Sequence, residues 1–345
     1  MLKFMRLIIG VACSCASVPA SASIIFTFNN SANVPAPAVA ALTVAGQRWS
    51  SLLVDNIHVN IGIDFTALAG TAIAGSTYPS ITENYPDFRN AMIVHATSAD
   101  DALAVAHLPN VTNLTFLTND PNTGNVILDR NGSFNNGYIK MPRANARALG
   151  FFSATSTLSD GSIRFNNALA FDYDQSDGID SDKLDFVGIA EHEIGHILGF
   201  DSGVDTVDID SKPNGPSVGL SFESIPFFPL DLFRYSAAST PLGIMDFSYG
   251  GTKYFSLDAG NTNLALFSTG TYNGDGQQPS HWKDNLGLGI MDPTWWYGPS
   301  NVMSSLDVRA MDVIGYTSVV PEPGIVSLLI FVPIAMRRKN MKRKT

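Results

Sequence analysis

The sequence predicts an α+β chain whose sheet and helices come first and whose second half is irregular. Three observations carry this. Ile57, Val59, Ile61, Ile63 and Phe65 alternate with His58, Asn60, Gly62 and Asp64, the period of a half-buried strand. Apolar residues between Asp185 and Phe200 recur at helical spacing. Beyond Phe200, Gly, Asn, Pro and Ser crowd the chain with little periodicity, which points to turns and loops.

Taken in order, Ile24-Ile25-Phe26-Thr27-Phe28 reads as a strand, and Pro35 and Pro37 introduce an Ala-rich helix through about Val54. The alternating strand follows. Ser98 and Asp101 have capping-box spacing before an Ala-rich run, so a helix is expected from Ser98 to His107. Weaker strands are expected at Ala91–His95, Tyr138–Met141 and Ser162–Phe165. The helix from Asp185 to Phe200 comes next, and a last helix from about Ser304 to Ile314 should end at Gly315. A length of 345 residues allows about two domains. No repeat or clear linker divides the chain, so residues 23–318 read as one unit, with a sheet-and-helix part to residue 200 and a C-terminal part over 201–318.

Both ends read as addresses. Lys3 and Arg6, the apolar run Leu7–Ala12 and then Ala20-Ser21-Ala22 have the layout of a secretory signal peptide over residues 1–22. Both cysteines, Cys13 and Cys15, fall inside it, so the mature chain would carry no disulfide, Cys metal site or Cys nucleophile. At the other end, Val320-Pro321-Glu322-Pro323 precedes an apolar stretch from Gly324 to Met336 and six basic residues. That stretch is too short for a lasting membrane span, since thirteen helical residues reach only about 20 Å. This ending, residues 319–345, resembles the PEP-CTERM sorting signal of Gram-negative bacteria. The resemblance implies export to the cell surface, an exosortase-type partner and transient membrane contact.

The formal charge is −10, and eight of the 21 basic residues lie in the two terminal segments, so the middle is strongly acidic. That balance disfavours nucleic acid as a partner, which needs clustered cations.

Chemistry concentrates in Glu191-His192-Glu193-Ile194-Gly195-His196. On a helix, His192 and His196 project from one face and can grip one zinc ion. Glu193 sits beside the first of them, placed to take a proton from a water at the metal without binding the metal. A catalytic zinc usually has three protein ligands. Ser202 occupies the spacing of the compact third ligand and is a poor one, whereas Asp201, Asp205 and the distant His281 remain candidates.

HEIGHILGF, a long insertion, Ser280-His281-Trp282 and then Met291 together resemble the leishmanolysin-type branch of the metzincins. The resemblance covers roughly Phe186 to Pro293. It implies a metzincin-like zincin fold and a secreted zinc endopeptidase acting on protein or peptide substrates. Within it, His192, His196 and His281 would be the metal ligands, Glu193 the catalytic base and Met291 the Met-turn residue. Tyr297, six residues further on, is a candidate oxyanion helper. Upstream, Asp172, Asp174, Asp177, Asp180, Asp182 and Asp185 form a candidate calcium stretch, though not an EF-hand, because Asp177 and Lys183 occupy the positions that need Gly and Glu. The alternative function is a catalytically silent surface or matrix protein, holding a structural zinc or binding polysaccharide through calcium. Glu193 discriminates, since a closed structural site has no use for a base next to its ligand.

Overall fold

The computed structural model describes residues 23–217, 219–299 and 301–319; the stretch read as a signal peptide, and all but Val319 of the stretch read as a sorting signal, lie outside the described residues. Among those described, eight α-helices and several small sheets make a mixed α+β structure. No helix among them is long and apolar enough to cross a membrane.

The main sheet has four strands, in the order Ile25–Asn30, His58–Thr66, Gly161–Asn166 and Ala74–Thr77. The first three run parallel, with Phe26 opposite Val59 and Ile63 opposite Ile163. Ala74–Thr77 closes one side antiparallel, with Ser76 opposite Ile163. The period-two pattern is realised residue by residue. Val59, Ile61, Ile63 and Phe65 are buried, while their alternating neighbours keep some solvent contact.

Two helices back this sheet and pack on each other. Ala36–Leu52 begins at Pro35 and Pro37 and buries Ala38, Ala41, Leu42, Ala45 and Trp49. Phe186–Leu198 lies against it, and the Trp49 indole donates to Glu191 O at 2.9 Å. Phe186 docks the start of the second helix on the sheet, its ring 4.5 Å from Phe165 and 5.8 Å from Phe65. The predicted helix at Ser98 spans Ala99–His107 and has its capping box with Asp101.

One expected strand is a helix. Ala91–His95 forms the last part of the helix Tyr85–His95. Asn84 caps it by accepting from Asp87 N, Pro86 sits in its first turn, and Tyr85, Phe88 and Met92 are buried on one face. A five-residue apolar run does not distinguish the two periods, and the cap upstream decided it.

The second half holds more order than its composition suggests. A helix spans Val204–Asp210, and Arg234–Tyr235, Lys253–Phe255 and Ala265–Phe267 form an antiparallel sheet. Met245–Asp246 pairs parallel with Phe116–Asn119, which in turn pairs with Val126–Asp129. Strand pairing therefore joins the two halves across residue 200. These strands have two to four residues, too few for a hydrophobic period to show. The final helix spans Ser305–Asp312, capped by Ser304 and followed by Gly315 at φ +110°.

Candidate metal centre

The helix Phe186–Leu198 is held at both ends. Asp185 accepts from Gly188 N at 3.1 Å, satisfying one orphan amide of the first turn. At the other end Gly199, at φ +126°, turns the chain sharply enough for Phe200 N to bond back to Gly195 O at 3.0 Å. That turn also places Phe200 O 2.7 Å from His196 Nδ1.

His281 arrives from the other half of the chain. His281 O accepts from Ser268 N at 3.0 Å, and Trp282 N donates to Met291 O at 3.0 Å. Trp282 is fully buried, stacked on Phe267 at 5.0 Å and edge-on to Phe200 at 4.9 Å. These contacts fix the imidazole against the helix. Met291, also fully buried, packs its sulfur on Gly195, one residue before His196.

The three imidazoles converge. His192 Nε2 lies 3.1 Å from His196 Nε2, and His281 Nε2 lies 3.2 Å from each. A tetrahedral ion bound at about 2.0–2.1 Å spaces its nitrogens about 3.3–3.4 Å apart, so this triangle has the size of one metal face. Proton placement points the same way. His192 Nδ1 is 2.8 Å from Ile290 O, His196 Nδ1 is 2.7 Å from Phe200 O, and His281 Nδ1 is 3.3 Å from Gln278 O. A carbonyl can only accept, so each Nδ1 carries the proton and each neutral ring turns a bare Nε2 lone pair toward the common point. Burial, reinforced at His192 and His281 by neighbouring imidazole, pushes His192 down to about 3, His196 down to about 4 and His281 well below the usual range, so the rings are neutral near pH 7. Three lone pairs facing one another make a donor set that could hold one metal ion.

Glu193 is 7% exposed, and burial pushes its carboxyl up to about 7 against the hydrogen bonds it receives from the Ser76 side chain and backbone. Glu191, on the opposite side of the helix sequence from it, is a structural acid. It is buried, is also pushed up to about 7 by burial, and pairs with Arg48 at 2.6 Å.

A cleft of about 700 Å³ opens over these groups. Its walls include the edge strand Ala74–Thr77, Lys140, Asp201, Asp205 and Trp295, whose ring is edge-on to His192 at 5.9 Å. Thus the structure gathers His192, His196, Glu193, His281 and Met291 in one place. Asp201 and Asp205 stay on the cleft wall. Among the described residues, the three histidines are the one group of His, Cys, Asp or Glu whose ligand atoms lie close enough together for a single ion.

Two expected features stay outside this cluster. Tyr297, the expected oxyanion helper, is 56% exposed and does not line the cleft. Among the described residues, the Asp172–Asp185 carboxylates form no group of three whose ligand atoms lie close together. Asp172 accepts from the amides of Asp174 and Asp180 at 3.1 and 3.0 Å, Asp174 accepts from Ser176 N at 2.9 Å, and Asp180 pairs with Lys183. Those carboxylates shape turns, as short polar side chains do. Conversely, Ser76 and Trp295 escaped the sequence reading. The edge strand is Ala-Gly-Ser-Thr, with no apolar alternation to mark it, and nothing around Trp295 sets it apart from a core tryptophan.

No protein-family model, curated protein or solved structure matches this chain.

Proposed function

We propose that the protein is a zinc-dependent endopeptidase of metzincin type. In this reading His192, His196 and His281 hold the ion, Glu193 is the general base and Met291 is the Met-turn residue. The observation that carries it is the convergence of three bare imidazole nitrogens on one point beside a buried carboxyl in an open cleft. Three nitrogen donors with a fourth position open to the cleft suit catalytic zinc. When bound, zinc supplies Lewis acidity to a substrate carbonyl and lowers the pKa of water to about 7.

The chain's own groups do the rest. Glu193, buried beside the first imidazole and lining the cleft, takes a proton from water and returns it to the leaving amine. Ser76 donates to that carboxylate and holds it toward the cleft. The strand Ala74–Thr77 pairs on one side only and lines the cleft, so it offers main-chain donors and acceptors to an extended peptide. The terminal segments support export, with a Sec-type signal at residues 1–22 and an exosortase-sorted tail at 319–345 placing the enzyme outside the cell.

Metal analysis and casein cleavage test this on wild type, Glu193→Gln and His281→Ala. Wild type should hold one zinc per chain and cleave. Glu193→Gln should keep the metal and lose about 10²–10⁴-fold in rate. His281→Ala should lose the metal, whereas Asp201→Asn and Asp205→Asn should retain it. Undiminished cleavage by Glu193→Gln removes the catalytic reading, and full zinc in His281→Ala removes the ligand set.

A further inference from the structure

One buried carboxyl beside this centre has no part in the chemistry above, yet it holds both segments that shape it. Asp307 stands in the first turn of Ser305–Asp312 and is fully buried. As a capping residue it accepts from Ser304 N at 2.7 Å. Its two oxygens also reach inward. Oδ1 accepts from the Trp282 indole at 2.8 Å and from Met291 N at 3.3 Å, and Oδ2 accepts from Ile290 N at 2.9 Å.

Each of those donors sits next to a metal-binding group. Trp282 follows His281 in the chain. Ile290 presents the carbonyl that receives His192 Nδ1 at 2.8 Å, and Met291 packs under Gly195. A single carboxylate therefore ties the segment carrying the third imidazole to the segment orienting the first. The cradle around it is cut to fit: a Cβ at Gly289 would lie 2.1 Å from Asp307 Oδ2, so only glycine lets the carboxylate in.

We infer that Asp307 is a positioning residue for the metal centre, setting the spacing of His281 against His192 and through it the affinity for the ion. The inference rests on reading the three histidines as a metal site. An Asn at position 307 keeps the shape but turns an NH₂ group toward N–H donors, so at least one donor loses its acceptor and the 289–291 turn relaxes. Loss of such an outer partner typically weakens metal affinity about 10–100-fold.

The test is zinc affinity of the folded full-length chain, by competition with a chromophoric chelator, with the Co²⁺ absorption spectrum as a second readout. Asp307→Asn and Gly289→Ala should each weaken zinc binding about 10–100-fold and alter the Co²⁺ spectrum. Trp282→Phe, which removes one donor, should weaken it less. Asp101→Asn is the control, because Asp101 caps another helix from a buried position without touching either metal segment. It should bind zinc as wild type does. Should Asp307→Asn not fold, Gly289→Ala and Trp282→Phe decide the matter. Wild-type affinity in the Asp307 and Gly289 variants overturns the inference and leaves the metal centre standing, and so does equal weakening in Asp101→Asn. Absence of zinc binding in wild type overturns both.

Discussion

Gly195→Ala probes how the helix Phe186–Leu198 sits on Met291. A Cβ at position 195 would lie 2.5 Å from Met291 Sδ and 3.2 Å from its Cε, with Trp49 at an ordinary 3.5 Å. Comfortable contact starts at about 3.5 Å, so the sulfur must retreat by about 1 Å. Met291 is fully buried, so it cannot swing into solvent. Overpacking of this kind costs about 1–3 kcal/mol, while alanine gains about 1 kcal/mol over glycine inside a helix. The net expectation is a loss of about 0–2 kcal/mol. In a Met291→Ala background, itself costing about 2–5 kcal/mol, the obstacle is gone. There the same Gly195→Ala change should be neutral or stabilising by about 1 kcal/mol. The double-mutant cycle should show a coupling of about 1–3 kcal/mol favouring the double variant. Urea unfolding of the chelator-treated protein measures it without a contribution from bound metal. Equal cost of Gly195→Ala in both backgrounds refutes the argument that this contact seats the helix.

Other consequences are more local. Arg147→Met strands Asp160, whose carboxylate pairs with Arg147 at 2.7 Å with both side chains fully buried; the loss should be about 3–5 kcal/mol by denaturant unfolding, and a loss under about 1 kcal/mol contradicts the pairing. Asp185→Ala removes the cap of the helix Phe186–Leu198 and should cost about 0.5–2 kcal/mol, read as a lower urea midpoint at unchanged slope. Burial pushes Asp55 up to about 6 against the hydrogen bonds from Thr317, so folding takes up a proton between about pH 4 and 6 and this residue's share of stability falls as pH rises through that window. Asp55→Asn cannot titrate, so its stability relative to wild type should be more favourable at about pH 7.5 than at about pH 4.5; a difference independent of pH rejects the assignment.

Legibility in the sequence followed the range of the interaction. The strand from Ile57 to Phe65 and the helix ends at Ser98, Asp185 and Ser304 were readable because alternation and capping act within a few residues. Tyr85–His95 is not legible from its apolar run Ala91–His95, because the cap that starts the helix lies upstream at Asn84. Ala74–Thr77 carries no pattern of its own, and its pairing with Gly161–Asn166 makes it a strand. The same holds for Met245–Asp246, whose partner Phe116–Asn119 lies in the other half of the chain.

The sequence by itself determined that two imidazoles and a carboxylate share one helix, because a separation of four residues is a fixed turn of that helix. It could not choose among Asp201, Asp205 and His281 for the third donor. Tertiary structure brings His281, and neither aspartate, into the group that could hold one ion, 3.2 Å from a ring 85 residues earlier. It also set three Nδ1 atoms against the carbonyls of Gln278, Ile290 and Phe200, and seated Met291 against Gly195. The physical reason is that spacing along the chain specifies geometry only where the backbone is regular, and the stretch between Phe200 and His281 is held by side-chain hydrogen bonds and short paired segments rather than by a repeat.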